Sequence, residues 1–317
     1  MPRIVYSRRY NIGFYGLERL HPFDSRKYGR AWRAIRSALG ASAKKLLRSV
    51  DRPVSREELL LVHSPEYLDQ LRDPAMVARV LELPVVSRLP GWLVDRHVLS
   101  PMRWATRGTI LAAEAALQEG LVINLGGGFH HAKPGSGEGF CAYADAAIAI
   151  RSLRERKLLA ETDRVIHIDT DAHQGNGVSH TFLGDNRVFL FDIFHGSIYP
   201  YGDVAAKGRI DCAIPVTSRC TESEYQGLLE RHLPGFLDSV GRSKIGLAIY
   251  NAGTDVFAGD PLGRLNLSAA AILKRDLYVV GELRRRGLPT VMLLSGGYTR
   301  QSYRLVADSV VALCRDF

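Results

Sequence analysis

Apolar residues in this 317-residue chain gather in short unbroken runs rather than in strict alternation with polar ones. Runs at 121–125, 165–168, 188–193, 245–250 and 290–294 have the length and β-branched content of strands buried on both faces. Ile4-Val5-Tyr6 predicts an early strand of the same kind. Between these runs the apolar spacing turns helical. Residues 106–118 are rich in Ala, Leu and Glu, and 142–159 carry apolar positions at helical spacing. Residues 268–283 do the same, with Ser268 as N-cap and Gly287 as stop, and Ser64-Pro65-Glu66 opens a further helix. The stretch 74–101 holds four prolines and little periodicity, which predicts an irregular excursion over the surface. Strands alternating with helices predict an α/β fold, a parallel sheet covered on both faces, in one domain spanning 1–317. No internal repeat or low-complexity linker interrupts it.

Chemistry-bearing residues follow each of the five runs. After 121–125 comes Gly126-Gly-Gly-Phe-His130-His131, and after 165–168 comes Asp169-Thr-Asp171-Ala-His173. The run 188–193 contains Asp192 and leads to His195. Residues 245–250 lead to Asn251-Ala-Gly-Thr-Asp255, and 290–294 lead to Ser295-Gly-Gly-Tyr298. In open α/β sheets ligands bind outside the carboxyl ends of the strands, so these groups should meet on one edge. If extended geometry persists past residue 168, side chains 169, 171 and 173 point to one side. Two carboxylates and an imidazole there suit a divalent metal; a strand-end loop in which Asp caps the next helix is the competing reading. Asp255 could complete a three-ligand site with Asp171 and His173, leaving a fourth position open, as catalytic zinc requires. Tandem histidines on a loop facing such a site are candidates for proton transfer. The glycines before them match neither phosphate-binding spacing and are better explained by close backbone approach. Tyr298, after two glycines, is either a phenol aimed inward to meet an oxyanion or a buried structural tyrosine.

Composition narrows the class. An apolar content of 46% in a chain of this length supports a large core without staples. Cys141, Cys212, Cys220 and Cys314 match no zinc-finger or Cys-x-x-Cys spacing, which predicts free thiols in a reducing compartment. The formal charge of +9 raises nucleic acid as a partner, but the basic clusters at 8–9, 151–157 and 284–286 read as solvated faces, so that partner is not expected. No apolar run reaches the ~18 residues of a membrane span, and the N-terminus has no signal-peptide core, so the expected location is cytoplasmic.

The motifs His130-His131, Asp169-x-Asp171-x-His173, Asp255-x-x-x-Gly259-Asp260-Pro261 and Gly296-Gly297-Tyr298 resemble, in order and spacing, the zinc-dependent histone deacetylase family. Within it the chain is most similar to class IV, on the segments 9–24, 123–131, 139–145, 171–177 and 250–255. The resemblance covers nearly the whole chain. It implies an arginase/deacetylase-like fold and hydrolysis of an acyl-lysine amide, with class IV adding long fatty-acyl groups beside acetyl. Carried over by position, Asp171, His173 and Asp255 would bind one Zn²⁺, for which Fe²⁺ could substitute in the cell. His131 would be the main general base and then acid, with His130 beside it. Asp169 would partner the first histidine and lie near a structural K⁺. Tyr298 would polarise the carbonyl, and Gly139, Phe140 and Tyr199 would line the acyl tunnel. Lys27 falls where some relatives carry a basic residue near an internal channel.

Two positions depart from the class I pattern. Asn176 stands where class I members have Asp, which implies a less basic His131, and the match around Asp192 is looser. An acetylpolyamine or other small acyl-amine amidohydrolase would use the same metal site but should add acidic residues at the tunnel mouth. An arginase-type enzyme would need a metal-binding Asp at 175, where this chain has Gly. A non-catalytic acyl-lysine binding module would need a ligand or Tyr298 to be missing, and all are present. The expected partner is an acylated lysine in a protein or peptide, or a small acylated amine.

Overall fold

The computed structural model describes residues 1–13, 24, 26–241 and 244–316. Eight parallel strands form one sheet: β1 (Arg3–Tyr6), β2 (Leu47–Ser49), β3 (Leu121–Asn124), β4 (Arg164–Asp169), β5 (Val188–His195), β6 (Cys212–Val216), β7 (Ile245–Asn251) and β8 (Thr290–Leu293). Their order is β2-β1-β3-β8-β7-β4-β5-β6. The six strands expected from apolar runs are all present. The two unexpected ones, β2 and β6, are the sheet edges. An edge strand is buried on fewer sides, so it has no continuous apolar run to announce it: β6 alternates exposed and buried residues and contains Pro215.

Helices cover both faces, as the all-parallel sheet requires. Ser100–Glu119 packs on Asp145–Glu155 and against β3, while Lys27–Leu39 and Ala269–Arg285 each pack on Ser302–Asp316. The Ser268 hydroxyl accepts from the Ala271 N–H, the predicted cap, and Ser64 caps Pro65–Gln70 through the Tyr67 N–H. No helix was expected over Lys27–Leu39, although Tyr28, Ala31, Trp32 and Ile35 recur at helical spacing between its arginines. That stripe is the face the helix buries.

One expectation needs correction. Residues 74–101 are not an irregular surface excursion. They form short helical turns, including Pro74–Val80 and Gly91–Val94, that bury Val77, Val80, Val86, Val94 and Val98. Pro74, Pro84 and Pro101 sit in first turns and Pro90 in the N-cap position before Gly91, where a missing N–H costs nothing, so punctuation that reads as loop is a series of helix starts. Positive charge also concentrates toward the N-terminus. Residues 1–50 hold 12 Lys and Arg against two acids. Exposed Arg33, Arg36, Lys44 and Lys45 lie on the helices beside the β1–β2 edge.

Candidate active site

Strand order explains why the five strand ends meet. β3, β8, β7, β4 and β5 are consecutive neighbours in parallel register, with Asn124 beside Leu293, Leu293 beside Asn251, Asn251 beside Asp169, and Asp169 beside Asp192. Their C-terminal ends therefore deliver His130-His131, Tyr298, Asp255, Asp171 and His173 to one edge.

β4 ends at Asp169, so extended geometry does not continue through the Asp/Asp/His run. Each acid instead accepts the backbone N–H two residues on: Asp171 N–H to Asp169 Oδ1 at 3.0 Å and His173 N–H to Asp171 Oδ1 at 3.0 Å. The chain curls, and Asp171 and His173 converge with Asp255 while Asp169 turns to His130. Ligand atoms of Asp171, His173 and Asp255, all buried, lie within 4.8 Å of one another. His173 Nδ1 is 2.8 Å from Asp255 Oδ2 and 3.1 Å from Asp171 Oδ1. The remaining carboxylate oxygens are held from behind. Asp255 Oδ1 accepts from Ala172 N–H at 2.8 Å, and Asp171 Oδ2 accepts from Ser295 Oγ and Gly296 N–H, both at 2.8 Å. Gly296 is required there, because a Cβ would lie 2.5 Å from Asp171 Oδ2 and 2.8 Å from Asp255 Oδ2. The fully buried Arg275 donates to the carbonyls of Thr170 and Gly253, tying together the two loops that carry the ligands.

The electrostatics of this cluster call for a cation. Burial, then the Asp171 charge, pushes Asp255 up to about 7. Burial opposes the charged form of His173 as well, yet its bonds to Asp171 and Asp255 raise it to about 10, so a proton stands in for positive charge between the two acids. Two carboxylates and an imidazole nitrogen, preoriented by their own hydrogen bonds and short of positive charge, fit a divalent ion with an open fourth position.

The two histidines are differentiated. The loop that carries them is fixed by Asp145, which accepts from Gly128 N–H, Phe129 N–H and Thr109 Oγ1. His130 Nδ1 lies 2.8 Å from Asp169 Oδ2, and His131 Nδ1 lies 2.8 Å from Asn176 Oδ1, with the ring centroids 4.0 Å apart. Burial acts against protonation of both. For His130 the Asp169 and Asp171 charges outweigh it and raise the pKa to about 9. For His131 burial dominates, His130 and His173 add repulsion, and the pKa falls well below its ordinary value. One imidazole is thus held cationic and its neighbour neutral.

Tyr298 packs edge-on against His173 at 6.0 Å and Phe140 at 5.9 Å. Burial, then the charges of Asp171 and Asp255, hold its phenol well above 10, so it keeps the proton it would donate. Gly139 adopts φ +51, and a Cβ there would sit 2.5 Å from His131 Cδ2, so only glycine lets the chain pass over that ring. Tyr199 stacks edge-on against His131 at 5.0 Å but does not line the adjoining cavity, whereas Gly139 and Phe140 do. That cavity holds about 980 Å³ of empty space, counting its open mouth. It begins at His130, His131 and Tyr298 and continues among Leu83, Val86, Leu89, Val98, Pro101 and Met102. All of these but Met102 lie in the segment 74–101, whose sequence reads as an irregular surface excursion. Lys27, fully buried, donates to the carbonyls of Ser295 and Gly296 at 2.5 and 2.8 Å. Asp192 accepts from Gly175 N–H through Oδ2, while its Oδ1 is buried without a partner. His21 and most of the segment 9–24 lie outside the described residues.

Residues 21–314 match the family model of the histone deacetylase domain. Histone deacetylase 2 of Arabidopsis thaliana is 42% identical over 313 residues, covering 98% of this chain and 78% of that protein. The chain belongs to the histone deacetylase family. An uncharacterised protein of Picosynechococcus is 33% identical over 79% of this chain and 78% of its own length. Histone deacetylase 8 of Xenopus tropicalis is 32% identical over 77% of this chain and 66% of its length. In fold, the chain is similar to a solved histone deacetylase homologue complexed with SAHA, with a TM-score of 0.74 at 23% identity over 99% of this chain and 83% of that one. A homologue from Aquifex aeolicus gives 0.73 at 23% identity, over 98% and 83%. As a member of the family this chain is a hydrolase of the acyl-lysine amide type, on the arginase/deacetylase-like fold.

Proposed function

We propose that this histone deacetylase family member is a zinc-dependent lysine deacylase of the class IV type that accepts long fatty-acyl groups. The observation that carries the chain-length reading is the apolar cavity beyond the reacting centre. Its walls of Leu, Val, Pro and Met offer an alkyl chain burial without asking for hydrogen bonds, at about 0.8 kcal/mol per buried CH₂.

Asp171, His173 and Asp255 would hold the metal. A bound Zn²⁺ supplies Lewis acidity toward the amide carbonyl and makes an attacking water more acidic. His131, neutral and buried, takes a proton from the attacking water and returns it to the amine as the carbon–nitrogen bond breaks. His130, held cationic by Asp169, contributes fixed positive charge beside it. The Tyr298 hydroxyl donates to the carbonyl oxygen as negative charge develops there. Gly139 and Phe140 would flank the lysyl stem near His131, with Tyr199 packed against that histidine, and a monovalent cation beside Asp169 would meet the unpartnered Asp192 oxygen. Four free cysteines suit a reducing compartment such as the cytoplasm.

The test is a kinetic series on lysine peptides acylated from acetyl to tetradecanoyl, with acetylated polyamine as a further arm and metal content measured on the same preparation. The reading requires about one zinc per chain and kcat/KM rising by at least about tenfold from acetyl to the long acyl groups, a factor of about 1.4 kcal/mol. A flat or falling series would remove the fatty-acyl reading, and preference for the polyamine would replace the lysine substrate. Two catalytic divalent ions per chain would favour arginase-like chemistry.

A further inference from the structure

His131 can accept a proton only on a nitrogen that does not already carry one, and which nitrogen that is depends on a neutral amide. A carboxylate in contact with Nδ1 would accept a hydrogen bond from either oxygen. Asn176 has one accepting and one donating end of nearly the same shape. Turned one way it receives a hydrogen bond from Nδ1–H and leaves Nε2 unprotonated. Turned the other way it donates to Nδ1 and drives the proton onto Nε2, which abolishes the base. Asn176 is buried, so water does not choose between these orientations.

Two carboxylates choose. Asn176 Nδ2 donates to Glu138 Oε1 at 2.5 Å and to Asp203 Oδ2 at 3.3 Å. Ionised carboxylates only accept, so the amino end must face them and the carbonyl end must face His131, where Oδ1 lies 2.8 Å from Nδ1. Both acids are themselves anchored. Lys133 Nζ lies 2.9 Å from Glu138 Oε1 and 3.6 Å from Asp203 Oδ2, and His180 Nε2 lies 2.9 Å from Asp203 Oδ2. Asp203 also accepts from the Ala206 N–H. The two acids come from separate segments, one just before the Gly139-Phe140 turn and one just before the helix Val204–Arg209. Neither touches His131 in these contacts.

We propose that Glu138 and Asp203 are positioning residues that lock the Asn176 amide in one orientation and thereby hold His131 as the Nδ1–H tautomer, with Nε2 free to receive a proton. This rests on the reading of His131 as the proton-transfer group. The carboxylate that would contact the histidine directly is here displaced outward by one residue and divided between two acids.

The experiment uses the metal-loaded enzyme. Glu138→Gln, Asp203→Asn and the double variant are made in the wild-type and Asn176→Asp backgrounds. Two quantities are read: the protonation of the His131 ring by ¹H–¹⁵N correlation on histidine-labelled protein, and kcat and KM on an acyl-lysine peptide. In the wild-type background the double variant should populate the Nε2–H tautomer and lose about 10- to 100-fold in kcat, at or below the range for removing a general base, while KM stays within about threefold, since binding contacts are intact. Each single variant should fall between. With Asp at 176 the same two substitutions should leave the tautomer unchanged and either spare kcat or raise it, because a carboxylate needs no orienting and is relieved of two like charges. Retention of the Nδ1–H tautomer in the double variant overturns the proposal. So does an equal loss of kcat in both backgrounds, the pattern expected of structural damage. If the wild type hydrolyses no acyl-lysine peptide, the proposed function fails, and the ring spectra still decide the tautomer.

Discussion

A single oxygen decides the strongest test at the residue scale. Tyr298→Phe removes the hydroxyl and little volume. The Tyr298 phenol stays protonated because burial and the charges of Asp171 and Asp255 oppose ionisation. If it donates to the developing oxyanion, kcat should fall by about 10²–10³, with metal content and KM nearly unchanged. A purely structural tyrosine would instead lower the melting temperature and leave kcat near wild type, and measuring all four on one variant separates the readings. The histidine pair makes a second comparison. His131 is neutral and His130 cationic, so His131→Ala should cost about 10²–10⁴ in kcat and His130→Ala less. Equal small losses in both, with metal retained, would remove the assignment.

At the scale of elements, the cavity wall is built by the short helices of residues 74–101 and the first turns of Ser100–Glu119. A bulky side chain there should act on the acyl chain and not on the chemistry. Met102→Trp should depress kcat/KM for tetradecanoyl-lysine by about tenfold or more, comparable to overpacking costs of 1–3 kcal/mol, while acetyl-lysine turnover stays within about twofold. Equal losses on both substrates would mean that the acyl group does not reach this wall. The loop after β8 is tested by Gly296→Ala. Its Cβ would press on oxygens of Asp171 and Asp255, so dialysed protein should lose its metal, and full metal retention would contradict the tight approach.

For the whole molecule, acid stability follows from a buried neutral histidine. His63 accepts from Ala144 N–H at Nε2 and sits 3.3 Å from the Pro134 carbonyl through Nδ1. Burial lowers its pKa to about 4. Its folded pKa lies below the unfolded 6.5, so the unfolded chain binds the proton first as pH falls. The stability difference is absent above pH 6.5 and grows as pH drops toward 4. Comparing urea unfolding at pH 6.5 and 4.5, His63→Gln should lose about 2–3 kcal/mol less than wild type, at 1.36 kcal/mol per pKa unit. The comparison with wild type cancels acid loss of metal from both, and parallel losses would show that His63 is not the titrating group.

What the sequence determined by itself was whatever a local pattern encodes. Strands buried on both faces are continuous apolar runs, so β1, β3, β4, β5, β7 and β8 were legible, and the residues following five of them marked one functional edge. Ser268 and Ser64 announced helix starts because capping is a contact within one turn. The ligand set Asp171, His173 and Asp255 was legible only as motifs of matching type, and its convergence needed the adjacency of β4 and β7. Only the tertiary structure decided which strands are edges and that the proline-rich segment 74–101 turns inward as a cavity wall. It alone brought Glu138 and Asp203 to Asn176, 38 and 27 residues away along the chain. The physical reason is common to all of these. Backbone preference and burial on both faces act within a few residues, whereas hydrogen-bond partners and cavity shape are set by segments that approach only once the sheet has assembled.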